Sequence, residues 1–578
     1  MLGLVFITGK VDAQFYDGTH VGFGKNRVQY DYFEWKYFRY NQYETYYYTG
    51  GKELAIYTAK VARKYIKDQE KFFEYDLRDK IQFIVYNKQS HFKQSNVGLN
   101  LENGEIGGIT NIMGSKVYIY FNGDHADFNR QIKKGIAQVL VNQQVFGANW
   151  RQVLKNTSLF SIPDWYSKGL TSYMSDKWSP EIENSVRDGI ASGKYKKFNR
   201  LSDKDAIVAG HSLWAYIVDT YGESVVPNIL YMTRVTQSIN KGFLYVLGVS
   251  MKNLTKEWEV YYKNNYKELL EKDTEDFLAK QLFKIKKRRN YSEFKMSPDG
   301  NNFAYVTNQL GQYKIYVYYK DNDKKYKIYK KEFKLDRIND KSYPILEWHP
   351  SSNVLTYITE EKGALLMHFF DITTGSVEVK SIFKMEKVIS MDYSDTGNEL
   401  VFSGIYNGQS DLYLYYIRSN SHKKITNDVF DDLEPRFIDN SSKIVFTSNR
   451  TTNSLGYKPT ELELFSNQKD IWIVSNFKAK KEKERKLTRV TETPISEKQP
   501  FGIDTMLYYL GEDNNVLARF SAVKDSFITH IDTSIHYFRF YETKPAANFY
   551  NRGIYEYNII NDGQYTEILK EDYKYHLM

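Results

Sequence analysis

The chain begins with strand-like patterns of apolar residues. Short apolar runs predict buried strands at 81–86 and 116–121. The stretch 15–50 is aromatic and alternates in part, and the glycine pair that ends it, Gly50 and Gly51, is typical of a turn. A sheet is therefore expected in the first part of the sequence.

Helix-like patterns lie between and after these strands. Apolar residues at helical spacing predict a helix over 53–71. Three later amphipathic segments predict further helices, at 213–221, 225–233 and 254–270. His211 and Ser212 precede them in G-H-S-L-W. A serine-hydrolase elbow needs Gly where Trp214 stands, so we interpret this pair as a helix start rather than as a nucleophile pair.

Another helix is predicted from Phe128 onwards. Five apolar residues recur there at helical spacing and form one stripe that faces a core: Phe128, Ile132, Ile136, Val139 and Leu140. Lys134 and Gln138 are four residues apart on the same helix, so they project together from a second face. This helix therefore has a core face and a separate face with polar side chains.

After residue 289 the pattern changes to a repeat of short strands. Four similar turns, each followed by an apolar strand, begin at Ser297, His349, Ser394 and Ile438 and recur at 44 to 52 residues. This spacing is a propeller blade length. A weaker fifth unit is predicted over 499–520, and a sixth is expected to begin near His536. The sequence therefore predicts about six blades, with the ring incomplete.

Two segments do not fit the repeat. A polar insertion at 451–469 is expected either to contact a partner or to be an inert excursion. The last stretch of the sequence does not complete an obvious blade. The domain prediction is an export-signal remnant at 1–14, an α+β domain at 15–271, a charged linker at 272–290, a propeller at 291–545 and a C-terminal extension or truncated blade at 546–578.

Composition narrows the possible functions. The 80 basic and 71 acidic residues give a net charge of only +9, and the two basic runs are expected to be solvated connectors, so no nucleic-acid partner is predicted. The absence of cysteine excludes thiolate metal sites and a cysteine nucleophile. No apolar run is long enough for a transmembrane helix. The first fourteen residues resemble the apolar end of a secretory signal without its basic start, which favours export.

Two short segments resemble the active-site frame of a metallopeptidase. Zincins carry H-E-x-x-H on a helix, and here that frame reads K-G-I-A-Q over 134–138. The segment W-Y-S-K-G-L-T-S-Y, over 165–173, resembles the W-x-x-E-G-x-x-x-Y segment that supplies the third zinc ligand in gluzincin-like peptidases, and Lys168 stands in place of the Glu. The frame residues of this protein are therefore Lys134, Gly135, Gln138 and Lys168.

These residues cannot perform zinc hydrolysis. A lysine ammonium is a donor-only cation that repels a divalent metal, and Gly135 has no side chain to take a proton from water. Gln138 offers only a neutral amide oxygen. We therefore predict no catalytic residues, no metal and no cofactor. The alternative is that this helix never belonged to a peptidase.

A wider resemblance covers residues 20 to 265. The order of elements, with F-G-K-N-R-V-Q-Y, V-R-D-G-I-A-S-G-K-Y and Y-G-E-S-V-V-P-N-I-L, is similar to peptidase-MA-like domains in front of TolB-type, WD-type propellers in envelope proteins of Bacteroidota. S-N-R, over 448–450, matches the S-x-R of TolB-like repeats. The resemblance implies a multidomain protein in which an inactive α+β gluzincin-like domain precedes an all-β propeller.

This resemblance implies a non-catalytic binding or scaffolding protein of the periplasm or outer membrane. Its partners would be proteins of the cell envelope, in secretion or outer-membrane assembly. The alternative is an active hydrolase that uses His125, Asp127 or Glu105. A third interpretation is a sugar or cell-wall binder that uses the 51 tyrosines as stacking platforms, although strand packing also explains them.

The two lysines of the frame carry a further expectation. If the two helices converge as in zincins, Lys134 and Lys168 place two cations where a zinc ion would lie. Acidic residues such as Asp164 or Asp176, or an anionic group of a partner, would then compensate the repulsion.

Overall fold

The computed structural model describes most of the protein after residue 26. The described residues are 27–95, 97, 111–113, 115–147, 162–271, 289–331, 340, 342–457, 467–513, 516–531, 535–545, 553–559, 565–571 and 574–577. The expected export signal at 1–14, Glu105 and most of the predicted linker lie outside them. The described residues form a helical domain with a small sheet, followed by a β-propeller.

The N-terminal sheet has five strands in the order β1-β2-β3-β5-β4. Their bounds are β1 (Lys36–Arg39), β2 (Tyr43–Tyr47), β3 (Ile81–Tyr86), β4 (Asn111–Met113) and β5 (Lys116–Tyr120). Strand β3 runs parallel to both of its neighbours, whereas β1 and β4 are antiparallel edge strands. Ile81, Phe83, Ile84 and Val85 are all fully buried, as expected for a strand that is covered on both faces. The predicted strand at 81–86 is confirmed.

Nine α-helices follow or flank this sheet in the described residues. They are α1 (Lys52–Phe73), α2 (Gln89–Phe92), α3 (His125–Phe146), α4 (Asp164–Ser175), α5 (Pro180–Ala191), α6 (Asp203–Tyr221), α7 (Val225–Thr236), α8 (Ile239–Leu247) and α9 (Met251–Glu271), with a 3-10 helix at Lys194–Arg200. None of these helices combines the length and the apolar character needed to cross a membrane.

Helix α3 passes through the core of the N-terminal domain. All five residues of its predicted stripe are completely buried. The helix begins three residues earlier than the sequence pattern indicates, because the Asp124 side chain accepts a hydrogen bond from the Ala126 N–H at 2.9 Å and caps the first turn. It ends at Gly147, which adopts a φ of +73°.

Helix α6 corrects the interpretation of His211 as a helix start. The helix begins at Asp203, with Ser202 at the N-cap position, and His211 lies in its middle. The His211 ring lies 3.0 Å from both the Ser172 hydroxyl and the Lys177 carbonyl. Burial lowers the pKa of His211 to about 4. The apolar pattern of 206–209 already belongs to this helix, so the sequence boundary was placed too late.

The propeller contains five four-stranded blades. Blade one is β6 (Asn290–Met296), β7 (Asn302–Gln309), β8 (Gln312–Tyr319) and β9 (Lys324–Lys331); blade two is β10 (Ile345–Trp348), β11 (Val354–Glu361), β12 (Ala364–Asp371) and β13 (Val377–Ile382). Blade three is β14 (Lys387–Tyr393), β15 (Glu399–Tyr406), β16 (Gln409–Tyr416) and β17 (Ser421–Lys424); blade four is β18 (Asp432–Ile438), β19 (Lys443–Ser448), β20 (Asp470–Ser475) and β21 (Lys486–Arg489). Blade five is β22 (Lys498–Ile503), β23 (Met506–Asp513), β24 (Val516–Ile531) and β25 (Ile535–Pro545).

The repeat predicted from sequence corresponds to the turn between the first two strands of a blade. In blade one the Ser297 N–H donates to the Asn302 carbonyl, and in blade three the Ser394 N–H donates to the Glu399 carbonyl. In blade two the His349 N–H makes the same bond to Val354. The same backbone hydrogen bond therefore closes this turn in blades one, two and three.

The expected count of about six blades is corrected to five four-stranded blades. His536 does not begin a sixth blade, because it lies in β25, the outer strand of blade five. The stretch at 546–578, expected to be a C-terminal extension or a truncated blade, contains a three-stranded sheet of β26 (Ile554–Ile559), β27 (Tyr565–Glu571) and β28 (Lys574–Leu577).

This three-stranded sheet lies between blade five and blade one. The Phe294 N–H of blade one donates to Glu556, and the Met296 N–H donates to Asn558. On the other side, the Tyr557 hydroxyl donates to the Gln499 carbonyl of blade five at 2.7 Å. The first and fifth blades are thus connected by side chains of the last sheet.

Candidate functional site

The frame residues lie where helices α3 and α4 face each other. The Thr171 hydroxyl of α4 donates to the Gln138 side-chain oxygen at 3.5 Å, and the Gln138 amide donates to Asn142 at 2.9 Å. Both ends of the Gln138 amide are therefore used within the domain. This amide holds two helices together and adds no ligand or base.

Lys134 and Lys168 have different surroundings. Lys168 forms an ion pair of 3.0 Å with Asp164, one turn away on α4, and both side chains are about one-third exposed. Lys134 is 6% exposed, and neither a hydrogen bond nor an ion pair connects its ammonium to the described residues. Of the two acids considered above, Asp164 pairs with Lys168, whereas Asp176 lies 3.9 Å from Arg130.

The described residues contain no group of three His, Asp or Glu side chains placed to hold a metal ion. At the frame itself the side chains are two ammonium groups and a neutral amide. These groups can donate hydrogen bonds and attract anions, but they cannot ligate zinc or act as a general base at neutral pH.

His125 and Asp127 were considered above as parts of an alternative hydrolase site. In the structure both side chains form hydrogen bonds within the protein. The His125 ring Nδ1 lies 2.7 Å from an Asp431 carboxylate oxygen of the propeller, and the His125 backbone N–H donates to the other oxygen. Asp127 accepts from Asn122 at 2.8 Å and from Gln131 at 3.2 Å. Glu105, the third candidate, lies outside the described residues.

The His125 contact belongs to a seam between the two domains that the sequence did not predict. We define the seam by Asp124, His125 and Lys88 of the N-terminal domain and by Asp431, Lys469 and Glu360 of the propeller. His125 and Asp431 are 3% and 0% exposed. Lys469 pairs with Asp124 at 2.8 Å. Burial opposes ionisation of Asp124, but the charges of Lys469 and Arg130 and the hydrogen bonds to the carboxylate together outweigh burial and lower the pKa of that carboxyl.

A second ion pair lies at the other end of the seam. Lys88 pairs with Glu360 at 2.8 Å, with both side chains less than 10% exposed. The Ser90 hydroxyl donates to the same carboxylate oxygen at 2.6 Å. Gly408, at the tip of the β15–β16 hairpin, approaches Leu54 so closely that an added Cβ would lie 2.6 Å from its side chain. The two domains are therefore joined by buried polar and apolar contacts.

The polar insertion at 451–469 contributes to this seam. Its C-terminal end supplies Lys469 and also Asn467, which accepts from Asn129 of α3 at 3.5 Å. Residues 458–466 lie outside the described part of the protein. The described end of this insertion therefore contacts the protein's own N-terminal domain.

The S-x-R segment forms a buried cluster in blade four. Arg450 donates to Asp428 and Asp432 at 2.6 to 3.0 Å. Burial raises the pKa of Asp428 to about 6 despite the attraction of Arg450. The Ser448 hydroxyl also donates to Asp432, at 2.7 Å. This segment therefore fixes the start of strand β18 and has no free group for a ligand.

Charged side chains from the first strands of adjacent blades also neutralise one another. Arg436 donates to Asp392 at 2.8 Å and to Glu347 at 2.5 Å, and Lys295 donates to Glu347 at 3.0 Å. Burial opposes ionisation of Glu347, but the two cations lower its pKa. Blades one to four are thus linked by a series of ion pairs.

Comparisons with known proteins find similarity to TolB over part of the chain. No protein-family model matches the sequence. The Tol-Pal system protein TolB of Helicobacter hepaticus is 32% identical over 113 residues, which are 19% of this chain and 25% of that protein. This chain therefore spans about a quarter of the length of the curated relative that it matches.

The solved structures that match part of this chain include two TolB proteins. TolB from Acinetobacter baumannii is 16% identical, with a TM-score of 0.31, over 48% of this chain and 63% of that chain. The putative TolB from Agrobacterium tumefaciens is 17% identical, with a TM-score of 0.32, over 50% of this chain and 90% of that chain. The comparisons give no support to the gluzincin-like assignment or to an origin in Bacteroidota, which stay predictions. The propeller that follows the helical N-terminal domain is TolB-like.

Proposed function

We propose that this protein is a non-catalytic binding or scaffolding protein of the periplasm. In this proposal an inactive gluzincin-like domain is fixed to a TolB-like propeller, and together they hold protein partners of the cell envelope. The setting would be secretion or outer-membrane assembly at the outer membrane of a Bacteroidota-like cell.

The match to TolB carries the proposal. The curated relative is named for the Tol-Pal system, and a propeller offers a rigid ring of loops for recognition. The buried seam supports a scaffolding role, because it fixes the N-terminal domain relative to that ring. The chemistry of the frame residues supports the absence of catalysis.

Cell fractionation and affinity purification test the binding role. The full-length protein, tagged in its native cell, is expected in the periplasmic or outer-membrane fraction and is expected to retain an envelope protein through washing at high salt. A tagged soluble periplasmic protein of similar size serves as the control. Recovery from the cytoplasm, or purification without a retained partner, would contradict the proposal.

Rebuilding the zinc site tests the inactive peptidase domain. The quadruple variant Lys134→His, Gly135→Glu, Gln138→His and Lys168→Glu restores the ligands and the base of a gluzincin. If this domain has the gluzincin arrangement, the variant should bind zinc stoichiometrically, as measured by elemental analysis after dialysis. The triple variant that keeps Lys168 is the matched control and should bind zinc more weakly. A folded quadruple variant that binds no zinc would refute the assignment.

A further inference from the structure

Lys134 differs from the other buried lysines of the described residues. Lys88, Lys134 and Lys387 are 4%, 6% and 2% exposed. Lys88 lies 2.8 Å from Glu360, and Lys387 lies 2.9 Å from Asp340. The Lys134 ammonium has no such carboxylate among the described residues. Buried charges in proteins are normally paired, so within the described part of the chain this cation lacks the partner that a buried charge requires.

Helical geometry directs Lys134 of α3 between helix α4 and strand β5. Arg130, one turn earlier, reaches Asp176 just after the end of α4. Gln131 donates to the Tyr120 carbonyl at the end of β5 at 2.9 Å. By helical geometry Lys134 projects between these two directions. Lys134 keeps 6% of its surface exposed, so the residue is not completely sealed from solvent.

The neighbouring charges leave one positive charge for a ligand. Lys168 is neutralised by Asp164, and Arg130 is shared by Asp127 and Asp176. Lys133 lies over the Tyr65 ring at 4.3 Å, on the side of α3 that faces α1. A single unpaired ammonium matches a carboxylate in charge. A phosphate dianion would need further donors to be neutralised.

We propose that the Lys134 ammonium is the receptor for a carboxylate of a bound polypeptide. This inference rests on the proposed binding function and names its ligand chemistry at the frame. The carboxylate is either the C-terminus of the bound polypeptide or one of its acidic side chains. It takes the place of the missing counter-ion, and its binding replaces water around a partly desolvated cation with a charge-assisted hydrogen bond.

Three small probes test this assignment on the full-length protein. They are acetyl-Ala-Ala-Ala with a free carboxylate, acetyl-Ala-Glu-Ala-amide and acetyl-Ala-Ala-Ala-amide. Titration calorimetry should show that at least one acidic probe binds about tenfold or more tightly than the neutral amide, as a charged hydrogen bond implies. Preference for the first probe identifies a C-terminus, and preference for the second identifies an acidic side chain. Inorganic phosphate is titrated for comparison.

Two variants locate the effect. Lys134→Met keeps the length and the apolar stem of the side chain, so it should abolish the preference for the acidic probe. Lys133→Met, on the adjacent position of the same helix, should leave that preference unchanged. If Lys134→Met fails to fold, the NMR signal of the Lys134 ε-carbon in the unmodified protein should shift with the acidic probe and not with the amide.

Equal binding of acidic and neutral probes, no binding of either, or a preference that survives in Lys134→Met would overturn the inference. Tighter binding of phosphate than of both acidic probes would overturn the carboxylate assignment. A partner that is retained equally by the wild type and by Lys134→Met would leave the proposed binding function standing and refute only the role of this lysine.

Discussion

Arg450 is held between two carboxylates of blade four. Its side chain and those of Asp428 and Asp432 are all 0% exposed. Charges buried this deeply are stable only when the donors and acceptors match, because each ion has lost its hydration. The removal of one partner therefore leaves the others uncompensated.

We expect Arg450→Met to destabilise the protein strongly. Two buried carboxylates would lose their cation, and such losses amount to about 3–5 kcal/mol. The free energy of unfolding in urea measures the effect. Arg418→Met is the matched control, since Arg418 is exposed, and it should change the free energy by less than about 0.5 kcal/mol. A similarly small effect of Arg450→Met would show that this cluster does not stabilise the blade.

The role of a residue could be predicted from the sequence only where it depends on the residue itself and its neighbours along the chain. The S-x-R segment could be recognised, and the lysines of the frame excluded zinc chemistry, because these arguments depend on side-chain type. The seam could not be predicted, because His125 and Asp431 are separated by 306 residues and neither position follows a periodic pattern. An aspartate next to a strand is common, so the sequence around Asp431 does not indicate a partner in another domain.

At the scale of secondary structure, helices α4 and α6 approach each other at two glycines. A Cβ added to Gly210 would lie 1.9 Å from the Trp165 carbonyl oxygen, and one added to Gly169 would lie 2.7 Å from Gly210. The atoms in the way belong to the backbone, so the helices themselves would have to separate. Trp165, Tyr166 and Trp214 fill the space beside this contact.

Gly210→Ala is therefore expected to destabilise the N-terminal domain although alanine favours helices. The gain in helix propensity is about 1 kcal/mol, whereas overpacking of a core contact costs about 1–3 kcal/mol, and more where backbone must move. Thermal unfolding followed by circular dichroism measures the net effect. Lys256→Ala, at an exposed position of α9, should leave the midpoint unchanged. A raised midpoint for Gly210→Ala would contradict the close approach.

The secondary-structure elements themselves were easier to predict than their boundaries and their count. The stripes of apolar residues predicted α1 and α3 correctly, because the 3.6-residue period of a helix with one buried face is visible in the sequence itself. The helix start at Asp203 was missed because Gly210 and His211 interrupt the pattern. The number of blades was overestimated because β24 and β25 are long strands, so the second half of blade five resembles a new repeat.

At the scale of the whole molecule, the seam determines whether the two domains move together. Asp431 accepts hydrogen bonds from the His125 backbone N–H, from Ser410 and from Asn449, and its side chain is fully buried. Asp431→Ala should therefore loosen the docking of the domains without unfolding either. Small-angle X-ray scattering should show a larger radius of gyration, whereas Asp321→Ala, in an exposed turn of blade one, should not change it. An unchanged radius for Asp431→Ala would mean that the other ion pairs and the apolar contacts hold the seam without Asp431.

Glu386 gives the same seam a dependence on pH. Its carboxylate accepts from the backbone N–H groups of Asn407 and Gly408 and from the side chain of Asn87. Burial raises the pKa of Glu386 from 4.5 to about 7, and the nearby charge of Lys88 only partly opposes this. The folded, docked protein therefore holds a proton that the unfolded protein releases at lower pH.

Because the folded-state pKa is raised, the stabilisation is complete below about pH 4.5 and is lost as the pH rises towards 7. Each pH unit in that window should cost up to about 1.4 kcal/mol from this group. Glu386→Gln keeps the acceptor oxygen but has no proton to lose, so its free energy of unfolding should fall less steeply between about pH 5 and pH 8 than that of the wild type. Other buried acids, such as Glu556 and Asp411, titrate in both proteins and cancel in the comparison. Glu53→Gln, an exposed change on α1, should reproduce the wild-type slope, and identical slopes for wild type and Glu386→Gln would show that Glu386 is already ionised in the folded protein.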